Sequence, residues 1–408
     1  MDWLKELLIG NSVGHIVFVF AFVISLGVAL GRIKIFGVAL GMTFVLFVGI
    51  AASHFGTQYI DPATTKHFMD HEVLHFVRDF GLILFVYAVG LQVGPGFFAT
   101  FKTGGLKLNL LAAAIVVLGV SITVLLHYVT KIDMPTMVGI LSGAITNTPG
   151  LGAAQNTFKN LGGDQNVIGT AYAMSYPLGV VGIIFSIIAI RIIFRVDMNQ
   201  QADKKTKTVS QKTKPAAEST KDKHVDEPHL IPIFVGILLG VILGSIPVYI
   251  PGVPQPVRLG LAGGPLVMAI LMSAFGTRFY FPTKVTTSAV LMLREVGICL
   301  FLACVGLLAG ESFVATVING DGLLWVGLGV IITVVPLLIV GILAYKVFKV
   351  DYFILMGMIA GSTTDPPALS YSVNTSGNDK PSIGYATVYP VTMFLRIMTA
   401  QLLILLFA

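Results

Sequence analysis

Two polar stretches interrupt an otherwise apolar chain. They are Gly143-Ala144-Ile145-Thr146-Asn147-Thr148-Pro149-Gly150-Leu151 and Gly361-Ser362-Thr363-Thr364-Asp365-Pro366-Pro367-Ala368-Leu369. Each begins with Gly, sets Thr before an amide or an acid, follows with Pro and closes on Leu. Proline lacks an N–H, suits the first turn of a helix and drives the residue before it out of helical geometry. Thr148 before Pro149 and Asp365 before Pro366 are therefore read as N-caps. Each stretch should end one helix and start another, with unpaired N–H groups pointing into the break. Two such helix starts, each carrying roughly half a positive charge, suit a carboxylate. The candidate binding residues are Thr146, Asn147, Thr148, Pro149 and Gly150 with Thr363, Thr364, Asp365 and Pro366. A plain proline kink explains one such break; two matched polar breaks favour a site.

Arg396 lies inside Met393-Phe394-Leu395-Arg396-Ile397-Met398, well within an apolar run. Placing Arg at the centre of a membrane helix costs at least ~2.5 kcal/mol, so it is a functional candidate by default. Its planar fork of donors suits a carboxylate. A structural pair with Asp365 is the bland alternative. Asp365 itself could take a substrate ammonium, a proton or a sodium ion, or simply cap its helix. Arg78, Gln92, Arg294, Tyr176 and Tyr389 are further polar groups in apolar spans and candidates for gating or coupling. His71-Glu72-Val73-Leu74-His75 fits the zinc-peptidase spacing, with His67 one turn earlier. That motif is short, lies outside the repeated core and has no third ligand in view. No metal, cofactor or enzymatic activity is therefore expected.

The surroundings of these residues are membrane-like. Of 408 residues, 55% are hydrophobic and only 11% charged, too few charges to cover a soluble protein of this size. Mean hydropathy is +0.88. Apolar spans of about 20 residues, the length that crosses a bilayer, run roughly over 13–31, 36–55, 79–97, 107–129 and 167–194, then 230–250, 259–277, 295–310, 322–348 and 384–407. The interrupted segments fall at 134–158 and 353–374. The expected organisation is a first membrane repeat at 1–195, a disordered cytoplasmic linker at 196–229 and a second membrane repeat at 230–408. The net charge of +6 gathers largely in that linker and does not point to nucleic acid. Cys299 and Cys304 show no metal or redox spacing.

The halves match residue by residue. Arg78-Asp79-Phe80-Gly81 answers Arg294-Glu295-Val296-Gly297, and Lys131-Ile132-Asp133 answers Lys349-Val350-Asp351. Gly139 and Gly143 pair with Gly357 and Gly361, Asn156 with Asn374, and Tyr172, Tyr176 and Pro177 with Tyr385, Tyr389 and Pro390. Gly27 and Gly31 pair with Gly240 and Gly244, a small-residue pattern that allows close helix packing. Arg396 breaks the symmetry, because its partner is Ile183. Five crossings per half gather Arg32, Lys107, Lys346 and Lys349 on the linker side, as the positive-inside rule favours; six do not. An odd number makes the repeats inverted.

The duplicated unit, with R-[D/E]-x-G in a Gly-rich span and a later Gly-x-x-Thr-polar-x-Pro break, resembles the bacterial aspartate:alanine exchanger family over 13–195 and 230–407. The resemblance implies a bacterial inner-membrane antiporter for amino acids or small carboxylates, working as a homodimer by an elevator motion, with Arg78 and Arg294 contributing to transport. It also implies soluble regulatory domains between the halves, where this chain has only a short polar linker. The expected fold is an all-α polytopic membrane protein of two inverted repeats. Each repeat has about five transmembrane helices plus one broken or re-entrant segment. The expected partners are the lipid bilayer and a small anionic or zwitterionic substrate. A sodium- or proton-coupled antiporter using Asp365 is the alternative, and a zinc metallopeptidase built on His71, Glu72 and His75 the remote one.

Overall fold

The computed structural model describes residue 7 and residues 12–35, 38–39, 41–58, 68–102, 105–196, 230–247, 258–275 and 285–408. The expected linker falls almost wholly outside them, as does His67. The first half comprises α1 (Val13–Gly31), a two-residue antiparallel ladder of β1 (Lys34–Ile35) and β2 (Val38–Ala39), then α2 (Phe44–Thr57), α3 (His71–Lys102), α4 (Leu106–Thr130), α5 (Met134–Ala144), α6 (Thr148–Asn160) and α7 (Asn166–Ile193). The second half repeats the helices as α8 (Leu230–Ser245), α9 (Gly260–Phe275), α10 (Thr287–Asn319), α11 (Gly322–Lys346), α12 (Tyr352–Ser362), α13 (Pro366–Ser376) and α14 (Lys380–Phe407). Among the described residues, all regular structure is helical apart from that short ladder. Seven helices, α1, α3, α4, α7, α10, α11 and α14, are long and apolar enough to cross a membrane.

The same local chemistry builds both halves. Lys131 and Lys349 take left-handed backbone, at φ 58 and 51, and turn the chain out of α4 and α11. Asp133 then caps α5 by accepting from the Thr136 N–H at 3.0 Å, and Asp351 caps α12 by accepting from the Phe353 N–H at 3.0 Å. A carboxylate at this position satisfies an amide that the first turn leaves unpaired.

Contacts along α3 and α10 fix the relative direction of the repeats. His71 meets Glu311, Gly81 packs on Gly297 and Phe301, and Arg294 bonds Gln92. As one residue number rises the other falls, so these equivalent helices run antiparallel. Equivalent spans that oppose each other make the repeats inverted. The R-[D/E]-x-G motifs do not open their helices as expected. They lie inside them, because α3 and α10 begin several residues earlier, at His71 and Thr287.

The broken segments are re-entrant. Helices α5 and α7 run parallel: Gly139 packs on Ile168, Gly143 on Tyr172, and the Ser175 hydroxyl donates to Ile140 O at 3.0 Å. Only a return by α6 allows this. Indeed α6 is antiparallel to α7, joined by Thr148 to Tyr172 at one end and Gln155 to Gln165 at the other. Helices α12 and α14 are parallel in the same way, with Gly357 on Pro381 and Thr392 donating to Gly361 O at 2.9 Å. Each half therefore sets five main helices beside one helical hairpin, α5–α6 or α12–α13, and the inversion makes the hairpins enter from opposite ends.

The helices sort into two bundles. One contains α1, α2, α3 and their equivalents α8, α9, α10; the other contains α4, α7, α11, α14 and both hairpins. Packing within each is extensive and packing between them sparse. Glycines set the closeness inside the first bundle: Gly27 lies on the Val45 backbone, Gly240 on Pro265, Gly49 and Gly306 on each other's helices.

The inverted arrangement makes a direct prediction. Single cysteines at Lys131 and Lys349, the equivalent turns into the two hairpins, should label with an impermeant maleimide from opposite faces of oriented vesicles. Labelling of both from one face would refute the inversion.

Candidate functional site

The hairpin tips meet inside the helical bundle. Thr146 Oγ1 donates to the Thr363 carbonyl at 2.9 Å, linking the two breaks directly. Thr146 and Thr364 hold left-handed backbone, at φ 55 and 56. That region is unfavourable for a β-branched residue, at about 1–3 kcal/mol each. The matched strain is what turns each chain back into its second arm.

Carbonyls freed at the breaks are taken up by side chains from other helices. Thr333 of α11 donates to Ala144 O at 2.6 Å and Thr392 of α14 to Gly361 O. Arg396 Nε donates to Ser362 O at 2.6 Å. The amides are also largely used, which corrects the expectation of unpaired N–H groups. Asn147, rather than Thr148, is the N-cap of α6: its Oδ1 accepts from Gly150 N–H at 3.1 Å, while Thr148 N–H reaches Thr146 O at 3.2 Å. The Thr148 hydroxyl pairs instead with the Tyr172 hydroxyl at 2.9 Å. Pro149, Pro366 and Pro367 have no N–H to offer. The helix starts supply little more than their dipoles.

What remains unpaired is side-chain charge. Asp365 occupies the N-cap of α13 and is fully buried, yet makes no capping bond, and neither carboxylate oxygen has a hydrogen-bond partner. The Ala368 backbone approaches it without hydrogen-bond alignment. The Thr364 hydroxyl beside it is likewise buried and unpaired. Arg396 is 3% exposed, and its Nη2 has no partner. Asp365 and Arg396 do not pair with each other, which removes the structural ion pair as an explanation of Arg396. A buried acid and a buried base thus border the same tips with their charges unspent.

Thr146, Asn147, Thr148, Pro149, Gly150, Thr363 and Thr364 are all buried around these tips, whereas Pro366 is exposed. Tyr176 lies next to Tyr172 and accepts from Thr43 of the other bundle at 2.7 Å; Tyr389 stacks on Tyr385. Arg78, Gln92 and Arg294 are not brought to the tips. Arg78 is 1% exposed and donates through Nε and Nη2 to Asp79. Gln92, a candidate for gating or coupling, is exposed and accepts from Arg294 Nη1 at 3.1 Å. Thr333 and Thr392 were missed at the sequence level. Thr392 stands one turn before Arg396 on the same face, a spacing that could have pointed to it.

Of the zinc motif, His71, Glu72 and His75 are described and His67 is not. His71 approaches Glu311 and His75 approaches Gln165, and no three His, Cys, Asp or Glu side chains form a metal cluster among the described residues.

A family model, "Asp-Al_Ex: Predicted Permease Membrane Region", matches residues 19–192 and again 232–405. The chain belongs to the aspartate:alanine exchanger family. An uncharacterized transporter of Bacteroides thetaiotaomicron is 40% identical, covering 99% of this chain and all of the relative. An uncharacterized transporter of Bacteroides fragilis is 38% identical, with 97% of each covered. A putative transport protein of Klebsiella pneumoniae is 34% identical over 97% of this chain and 99% of the relative. These alignments span over 550 positions against a chain of 408, so the relatives carry sequence that this exchanger-family chain lacks. No solved structure matches it.

An unpaired buried carboxylate is costly. Asp365→Asn should therefore stabilise the protein, since Asn147 already fills the equivalent position. Melting of the purified protein should shift upward, by an amount corresponding to about 1–3 kcal/mol. A lower melting temperature would mean that the carboxylate has a structural partner.

Proposed function

We propose that this transporter-family protein is a secondary antiporter of the bacterial inner membrane, exchanging amino acids or small carboxylates such as aspartate and alanine. Arg396 Nη2 would hold the substrate carboxylate and Asp365 its ammonium, at the meeting point of the hairpin tips. The observation that carries this reading is that Asp365 and Arg396 are both buried, both incompletely bonded and not bonded to each other. A zwitterion supplies one partner for each. The division into two sparsely joined bundles supports an elevator motion, with the hairpin bundle moving against the other. By the positive-inside rule the linker would be cytoplasmic, and the working unit would be a homodimer.

Coupling to sodium or protons through Asp365 is the second reading, favoured by the unpaired Thr364 hydroxyl beside the acid. The two differ in their energetics. Exchange of an amino acid for an amino acid should continue after both ion gradients are collapsed; coupled transport should stop.

Counterflow in proteoliposomes, screened with labelled amino acids and dicarboxylates, tests the assignment. Arg396→Lys should fold but weaken uptake by roughly 10- to 100-fold, the loss of a charged hydrogen bond worth about 1.5–3 kcal/mol. Asp365→Asn should lose zwitterions in favour of acids without an ammonium group. Unchanged kinetics in either variant would remove that residue from the site. Glu72→Gln should leave exchange intact.

A further inference from the structure

The two halves share a fold but not a packing. Arm α6 of the first hairpin is inserted into the other bundle: it packs on α9 and α3, with Gly152 against Leu82. Its residues 148–156 are all buried. By the repeat, arm α13 should meet α2 and α10 in the same way. It makes no substantial contact with either, and its principal contact with that bundle is strand β2. Pro366, Ser370, Asn374 and Gly377 form an exposed stripe along it. Their counterparts include the buried Thr148, Gly152 and Asn156. Two of the four, Ser370 and Asn374, are polar and suit lipid poorly, and Pro366, Ser370 and Gly377 are small, which suits a close helix contact.

The opposing surface is uncovered as well. Leu82, which receives Gly152, is 1% exposed, while its equivalent Ile298 is only half-buried. Arg78, one turn below Leu82, is 1% exposed, while its equivalent Arg294 is half-buried and held by Gln92. Both partners of the missing contact are present, and each is more exposed than its equivalent in the first half.

We infer that the exposed face of α13 is a docking surface for α10 and α2 of the same chain, and that the two hairpin arms dock in alternation. The structure is the state in which the first arm is seated and the second free. In the opposite state Ser370 meets Ile298 and Arg294 becomes buried, while Gly152 leaves Leu82 and Arg78 is released. Inverted repeats supply such a pair of states when the halves exchange conformations. The inference rests on the transport reading, since only a working cycle requires both states.

Two cysteine pairs test it, in a chain with Cys299 and Cys304 replaced and exchange retained. Leu82→Cys/Gly152→Cys should crosslink with a short thiol reagent and lock the present state. Ile298→Cys/Ser370→Cys should also crosslink within one chain, with loss of exchange that reduction restores. The four single variants serve as folding controls, and Ser370→Cys should react with an impermeant maleimide both alone and when added to the chain locked by the 82–152 crosslink. Absence of the 298–370 crosslink while 82–152 forms and the protein exchanges substrate would overturn the inference. So would a 298–370 crosslink found only between two chains. Formation of both intramolecular crosslinks in a protein that transports none of the screened solutes would uphold the alternate docking and refute the substrate assignment instead.

Discussion

A helix can be broken inside a bilayer only if the backbone groups freed by the break find partners, because no bulk water is present to take them. That requirement governs the centre of this protein. Three carbonyls at the ends of α5 and α12 are met by Thr333, Thr392 and Arg396, all borne on other helices. Thr146 supplies a fourth bond, across to the Thr363 carbonyl of the opposite tip. Each hairpin is thus completed by groups outside itself. The two halves need each other to exist, and their tips are held together by the same bonds that make the breaks tolerable.

Once the backbone is accounted for, the unpaired groups stand out. Asn147 and Asp365 occupy equivalent caps, yet the amide is bonded on both of its atoms and the acid on neither. Ile183 and Arg396 occupy equivalent positions on α7 and α14, yet only the arginine reaches a hairpin carbonyl. Duplication built a symmetric frame, and at the hairpin tips the charged groups, Asp365 and Arg396, come from the second half. The first half contributes fit and closure to the tips; the second contributes the electrostatics that could distinguish one solute from another.

Much of this was legible in the sequence because the repeat is exact at positions where backbone geometry allows few residues. The turns at Lys131 and Lys349, the Asp caps two residues later and the Thr-polar-x-Pro breaks identify the hairpins. Arg396 declares itself by the cost of burying it. Helix extent was less legible: α3 continues through charged residues because Arg78 pairs with Asp79, and α10 because Arg294 is held by Gln92, arrangements that a hydropathy window scores as an end. The cap of α6 was displaced by one residue, since both Asn and Thr cap well and only the left-handed turn at Thr146 selects Asn147. The unequal seating of α6 and α13 could not be read at all, because the repeat gives both arms a similar pattern of small and polar residues.

Arg396 draws these threads together through the two kinds of nitrogen it carries. Its Nε is committed to Ser362 O, which fixes the side chain against the end of α12, while Nη2 is left without a partner. A lysine has a single charged nitrogen and would have to choose between these roles. The guanidinium keeps its charge while one edge serves the frame and another remains free, and its fixed geometry limits the entropy lost when a carboxylate arrives. An unmade bond to a charged group costs the most in a dry interior, and Arg78 also carries one such nitrogen, Nη1, so what singles out Arg396 is its place at the hairpin tips. On the proposed reading, the burial, the committed nitrogen and the free one fit Arg396 to hold the anionic end of a solute, and Asp365, equally unpaired at the same tips, would set the opposite charge that the rest of the solute has to match.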